Sequence, residues 1–257
     1  MKAISHRIAI LVSVMTVAVL SSSYAAPPAA SPTGGPPFTG ETFLANYEEL
    51  KPESGKGGVD YIYRSPAGDQ VLSRFTGIML DQPEVFISAD SPYKGAKPAD
   101  LTAIAEFVRN AYTKELKARN YNVVEAKGPG VLYVRFAVTQ LQLKPKPRSI
   151  LAYTPAGFVI STAVRAMQET LAKMDILQVQ LQSEYLDSET GEQVAAAVVP
   201  RGGYGRKMSF SDLDSLIEGY GQTLACRLDN ARVSEAQRID CTDAKAREAR
   251  KPVAKAQ

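Results

Sequence analysis

The sequence predicts an α/β (α+β) fold: a single two-layer sandwich, its mixed, largely antiparallel sheet covered by two or three helices on one face. Three observations predict it. Along residues 177–185, Leu177, Val179, Leu181 and Tyr185 alternate with Gln178, Gln180, Gln182 and Glu184. The segment then turns through Asp187-Ser188-Glu189-Thr190-Gly191-Glu192 into an Ala/Val run, which is the pattern of a hairpin in a sheet buried on one side. Residues 98–119 place Leu101, Ile104, Ala105, Val108, Tyr112 and Leu116 at helical spacing. Around these, strand-like and helix-like segments alternate irregularly without an internal repeat, as in one mixed layer packed on helices.

Taken in order, residues 43–50 bring Phe43, Leu44, Tyr47 and Leu50 together over one or two helical turns, ended by Pro52. Residues 53–58 read as a loop, and 59–63, short and aromatic, as an edge strand or an extended segment packed on the core. Strands follow over 75–81 and 84–88, separated by Gln82-Pro83. After the helix come a strand over 121–125, a turn at Gly128-Pro129-Gly130 and a long strand over 131–143. Its apolar set runs through Leu132, Val134, Phe136 and Val138 and then jumps to Leu141 and Leu143, predicting a bulge near Val138–Thr139. The Pro-interleaved run Lys144 to Arg148 reads as an exposed connection rather than a paired strand. Ile160, Val164, Met167 and Leu171 predict a second helix over 157–174. Residues 201–207 are a Gly-rich loop. The last helix opens at Ser211 with a carboxylate three residues on, and buries Leu213, Leu216, Ile217, Tyr220, Leu224 and Leu228.

The ends predict where the protein works. Lys2 and Arg7 precede an apolar run from residue 8 to 20, and Ser23-Tyr24-Ala25 offers the small residues of a cleavage site. Residues 1–25 are therefore expected to be a signal peptide, 26–40 a Pro/Ala-rich linker, 41–232 one domain and 233–257 a basic polar tail. Export to the periplasm is expected, with no transmembrane segment after cleavage. No Cys stands near the cleavage point, so lipid anchoring is not expected. In an oxidising compartment Cys226 and Cys241, fifteen residues apart, are expected to pair. Cys226 points away from the buried stripe of its helix, where a tail folding back reaches it. The residues beyond Cys241 read as disordered.

Composition excludes several chemistries. The one histidine, His6, lies in the signal, and there is no Trp. Without His the mature chain has no Ser-His-Asp or Cys-His arrangement and no His-ligated zinc or iron site. Loss of the signal lowers the net charge from +3 to about +1, which gives no case for nucleic-acid binding. No cofactor is expected.

Three clusters occur together: Phe43-Leu44-x-x-Tyr47-x-x-Leu50-x-Pro52; Gly128-Pro129-Gly130-Val131-Leu132 leading to Arg135-x-Ala137-x-Thr139; and Glu184-x-x-Asp187-Ser188-x-Thr190-Gly191-Glu192-x-x-Ala195-Ala196. In this order, over roughly residues 43–230, they resemble the Gram-negative envelope proteins known as domain of unknown function 3313. The resemblance implies an envelope location and no assigned activity. Many members look like lipoproteins, and this chain differs in lacking the lipid-bearing Cys.

Four groups of residues are candidate sites. Gln178, Gln180, Gln182 and Glu184 would form an open polar sheet face able to hydrogen-bond a glycan or the rim of an envelope partner; otherwise they are a solvated outer face. Asp187, Glu189 and Glu192 could serve a carboxylate-dependent hydrolase. In the other reading they are turn chemistry, with Asp187 accepting backbone N–H bonds, Thr190 beside it and Gly191 supplying a positive φ. Lys144, Lys146 and Arg148, and Arg201, Arg206 and Lys207, are either anion contacts or solvated loop cations. The expectation is a non-enzymatic binding or accessory protein for an envelope protein or cell-wall glycan, with a cell-wall glycan hydrolase as the alternative.

Overall fold

Strands need neighbours to pair with, and among the described residues eight strands form one sheet. The structure, a computed structural model, describes residues 43–55, 58–146, 162–202 and 207–249, all within the compact unit Pro36–Gln257. The expected signal peptide, linker, Arg148 and Arg206 lie outside the described residues. The strands are β1 (Lys51–Gly55), β2 (Gly58–Arg64), β3 (Gly77–Leu80), β4 (Glu84–Ile87), β5 (Asn122–Val124), β6 (Val131–Pro145), β7 (Met174–Asp187) and β8 (Gln193–Gly202). Their order is β1-β2-β8-β7-β6-β3-β5, and β4 also pairs with β6. Pairings from β1 to β6 are antiparallel, whereas β3 and β4 run parallel to β6, and β5 runs parallel to β3. The mixed sheet and its α/β class are as the sequence predicts.

Among the described residues three long helices, α1 (Pro98–Ala118), α2 (Thr162–Lys173) and α3 (Phe210–Asn230), pack on one face. Their apolar stripes meet Leu132, Val134, Phe136 and Val138 of β6 and Val179 and Leu181 of β7 in one core. Tyr112 of α1 lies against Phe136 with ring centroids 4.5 Å apart. Proline opens α1, and Asp100 accepts from the Lys97 N–H at 3.2 Å. The helix closes through Asn120 in the left-handed region (φ 61°), with the Tyr121 N–H reaching the Leu116 carbonyl. α3 begins two residues before the predicted point. Ser209, not Ser211, is the cap, paired reciprocally with Asp212.

Several local expectations are corrected. Residues 43–50 form bends and one turn rather than a helix. The predicted loop at 53–58 is narrowed to the connection between β1, which runs on to Gly55, and β2, which starts at Gly58, and Pro52 is tolerated because β1 is an edge strand. With β1 outside it, β2 is not an edge. The bulge in β6 falls at Gln140 (φ 49°), just past the predicted place, and the register shifts between Thr139 and Gln142. Lys144 and Pro145 remain paired with Asp175 and Met174, so the ladder continues into the basic run. A second shift between Gln142 and Leu143 puts Ile176 in the core and leaves Leu177 outside it.

The tail is ordered as far as it is described. A short helix, α4 (Ala244–Ala249), follows Cys241, where a disordered segment was expected. Cys226 and Cys241 form a disulfide. Cys226 is fully buried because the tail itself covers that side of α3.

Candidate functional site

The glutamine row is not an open face. Gln182 is wholly buried, Gln180 and Glu184 nearly so, and Gln178 is half-buried. The cover is the segment 43–50, placed behind the sheet on the side opposite the helices. Leu44 and Leu50 pack on Ala196 and Val198 of β8, joined by Phe43, Tyr47, Tyr61 and Tyr63. Tyr47 donates its hydroxyl to Gln182 Oε1 at 2.7 Å, and the Gln180 and Gln182 amides both donate to Thr139 Oγ1. Glu184 accepts from Arg135 Nη1 at 2.6 Å and from Gln193 Nε2 at 2.8 Å, while Phe43 lies over the Arg135 guanidinium. These side chains are one internal polar layer, so the expectation of an exposed face is corrected.

The turn carboxylates meet backbone and cations. Asp187 Oδ1 accepts from the Glu189 and Thr190 N–H groups at 2.9 and 3.2 Å, and Gly191 takes φ 75°. Arg74 pairs with both Asp187 and Glu192 at 3.1 Å. Of the cations, Lys144 is exposed, Lys146 pairs with Asp175 at 3.2 Å, and Lys207 approaches the same carboxylate at 3.9 Å. Arg201 belongs to β8, opposite Val179. Turn and basic run therefore lie apart from the glutamine row and do not assemble one site with it.

A different place is concave. Between α3 and the β2–β8–β7 side of the sheet is a cleft of about 500 Å³. Its walls are mainly apolar: Ile62, Leu181, Ala195, Ala197, Val199 and Leu216. The space exists because facing positions are small, with Ala195 and Ala197 on β8 and Gly219 on α3. At the rim, Arg64 clasps Glu53 through both guanidinium nitrogens, and Arg227 holds Asp69 at 3.2 Å. Hydrogen bonds from Arg64 hold the Glu53 carboxyl below its ordinary value. Tyr220 donates to Asp60 at 3.1 Å, and Asp212 is engaged in the α3 cap. The tail closes one end through Thr242, Ala244 and Arg247.

Comparison with known proteins settles the family. Residues 39–225 match the proteins of unknown function grouped as DUF3313. The chain belongs to that family. Among solved structures, this DUF3313 chain is similar to a DUF4136 family protein from Bacteroides thetaiotaomicron, at 13% identity over 66% of this chain and 96% of that one, TM-score 0.37. It is also similar to the PelC dodecamer from Paraburkholderia phytofirmans, at 15% identity over 63% of this chain and 94% of that one, TM-score 0.34. None of the curated proteins matches.

A glycosidase needs one carboxyl raised in pKa opposite a second, and Glu53 is shifted the other way. Among the described residues no group of three or more His, Cys, Asp or Glu could hold a metal, and no helix is long and apolar enough to cross a membrane. Sequence reasoning missed the cleft. The available signal was the pairing of a small-residue strand, Ala195-Ala196-Ala197, with the glycines of the last helix.

Proposed function

We propose that this protein is exported to the periplasm and acts there as a non-enzymatic binding or accessory protein of the cell envelope, holding an apolar ligand in the cleft beneath α3. The observation that carries the reading is the cleft itself. Its volume of about 500 Å³ lies within the range of ligand pockets, roughly 300–1,000 Å³. Its walls are apolar, with a few polar groups at the rim, the usual division between affinity and orientation. The signal-like N-terminus and a disulfide, suited to an oxidising compartment, support export.

The uncharged dye N-phenyl-1-naphthylamine tests the cleft. It should bind the full mature chain at one saturable site with enhanced fluorescence. Ala197→Leu, which fills the floor, should weaken binding by roughly tenfold or more while Tm is kept. Unchanged binding by that variant, or no binding by the wild type, would overturn the reading. Release of the protein with the periplasmic fraction on spheroplasting tests the location.

A further inference from the structure

The tail end of the cleft carries a charge that the protein does not neutralise by contact. Arg247 of α4 is 9% exposed and lines the cleft. Its Nη1 donates to the Cys241 carbonyl at 2.8 Å, but its buried Nε has no hydrogen-bond partner. Its Nη2 lies 4.0 Å from where a Cβ on Gly219 would stand, on the α3 wall of the cleft. Asp243, Glu248 and Asp240 act on this guanidinium through space, and none is within ion-pair distance among the described residues. Burial without such a contact is a standing penalty, and it lowers the Arg247 pKa from its ordinary value.

The cleft's other charged groups do not share this condition. Glu53 and Asp69 are clasped by Arg64 and Arg227, Asp60 accepts from Tyr220, and Asp212 accepts from Ser209. Arg247 is moreover held in place rather than loosely swung inward. Arg119 donates to its backbone carbonyl at 3.0 Å while binding Asp229 at 2.8 Å, which fixes α4 to the ends of α1 and α3. The disulfide anchors the chain six residues before it.

We propose that the cleft takes an anionic amphiphile, with one apolar chain lying along Ala195, Ala197 and Leu216 and a carboxylate or phosphate headgroup on the Arg247 guanidinium. A planar fork of donors suits either oxyanion, and desolvation by the chain strengthens the contact. The proposal rests on the reading of the cleft as a ligand site and adds the sign and place of the headgroup.

The test uses the disulfide-intact mature protein with cis-parinaric acid and its methyl ester as fluorescent probes. The wild type should bind the acid at least about tenfold more tightly than the ester. Arg247→Gln should abolish that preference, and Arg247→Lys should retain part of it. Equal affinity for acid and ester, or a preference surviving in Arg247→Gln, overturns the headgroup assignment while leaving the apolar site standing. Failure of both probes to bind, or binding untouched by Ala197→Leu, overturns the cleft as a ligand site. Should Arg247→Gln not fold, Gly219→Leu, which fills the space beside the guanidinium, replaces it and should remove acid binding; retained binding counts against the proposal. Competition by lauric acid against competition by lysophosphatidic acid tells a fatty-acid carboxylate from a lipid phosphate, and displacement by neither overturns the assignment.

Discussion

Arg64 grips Glu53 with two nitrogens and reaches toward Asp69, which Arg227 holds from α3. The Glu53 carboxyl titrates below its ordinary value, so the folded state binds its proton less readily than the unfolded chain. The stabilisation is therefore fully present above about pH 4.3, the ordinary Glu value, and is lost as pH falls through the lower folded value. Glu53→Gln should lower Tm at neutral pH, with the gap to wild type closing in acid; a gap that persists at the acid end would assign the effect to packing instead. Gln182 teaches a different lesson about single residues. Its place opposite Leu181 and Val179 in the strand alternation was legible, because side chains alternate with period two. Its burial was not, because that depends on a segment 135 residues away whose Tyr47 hydroxyl meets it. Arg247 was illegible for the same reason: its surroundings are made by α3 and α1, neither of them adjacent in sequence, and by a disulfide that ties Cys241 back to α3.

At the scale of elements, the long helices and the β7–β8 hairpin were readable from periodicity and capping. The start of α3 moved by two residues because Ser209 and Ser211 both precede a carboxylate three positions on, and the reciprocal bonds form at Ser209. The run 43–50 misled because four apolar residues in eight fit a helical face equally well when they are spread over bends against β8. The tail is the element most dependent on a single covalent link. Replacing Cys226 and Cys241 by Ala should cost about 3 kcal/mol in denaturant unfolding, the value for a loop of about fifteen residues. Under the cleft reading it should also weaken retention of the cis-parinaric acid probe, because α4 carries Arg247. Full stability in the double variant would show that Arg119, Asp229 and Asn230 hold the tail unaided.

Across the whole molecule, the sandwich of one mixed sheet and helices on one side was legible, whereas strand order was not. β2 pairs with β8, far along the chain, as Tyr61 with Val198, and no local pattern announces that partnership. The same distance sets the order of assembly. Contacts of such separation form after loop closure has been met by more local ones, so the β2–β8 seam should be late in folding. Val198→Ala, at the seam and fully buried, should speed unfolding several-fold and leave the folding rate nearly unchanged in stopped-flow chevrons. A matching fall in the folding rate would place the seam in the nucleus. Leu44 and Leu50 of the segment 43–50 pack on Ala196 and Val198 of β8, so these contacts need that strand in place before the segment closes over it. Until it closes, Ala196, Val198 and Gln182 form a bare apolar and amide surface. A chain lacking that segment would be a finished sheet with one side open to water.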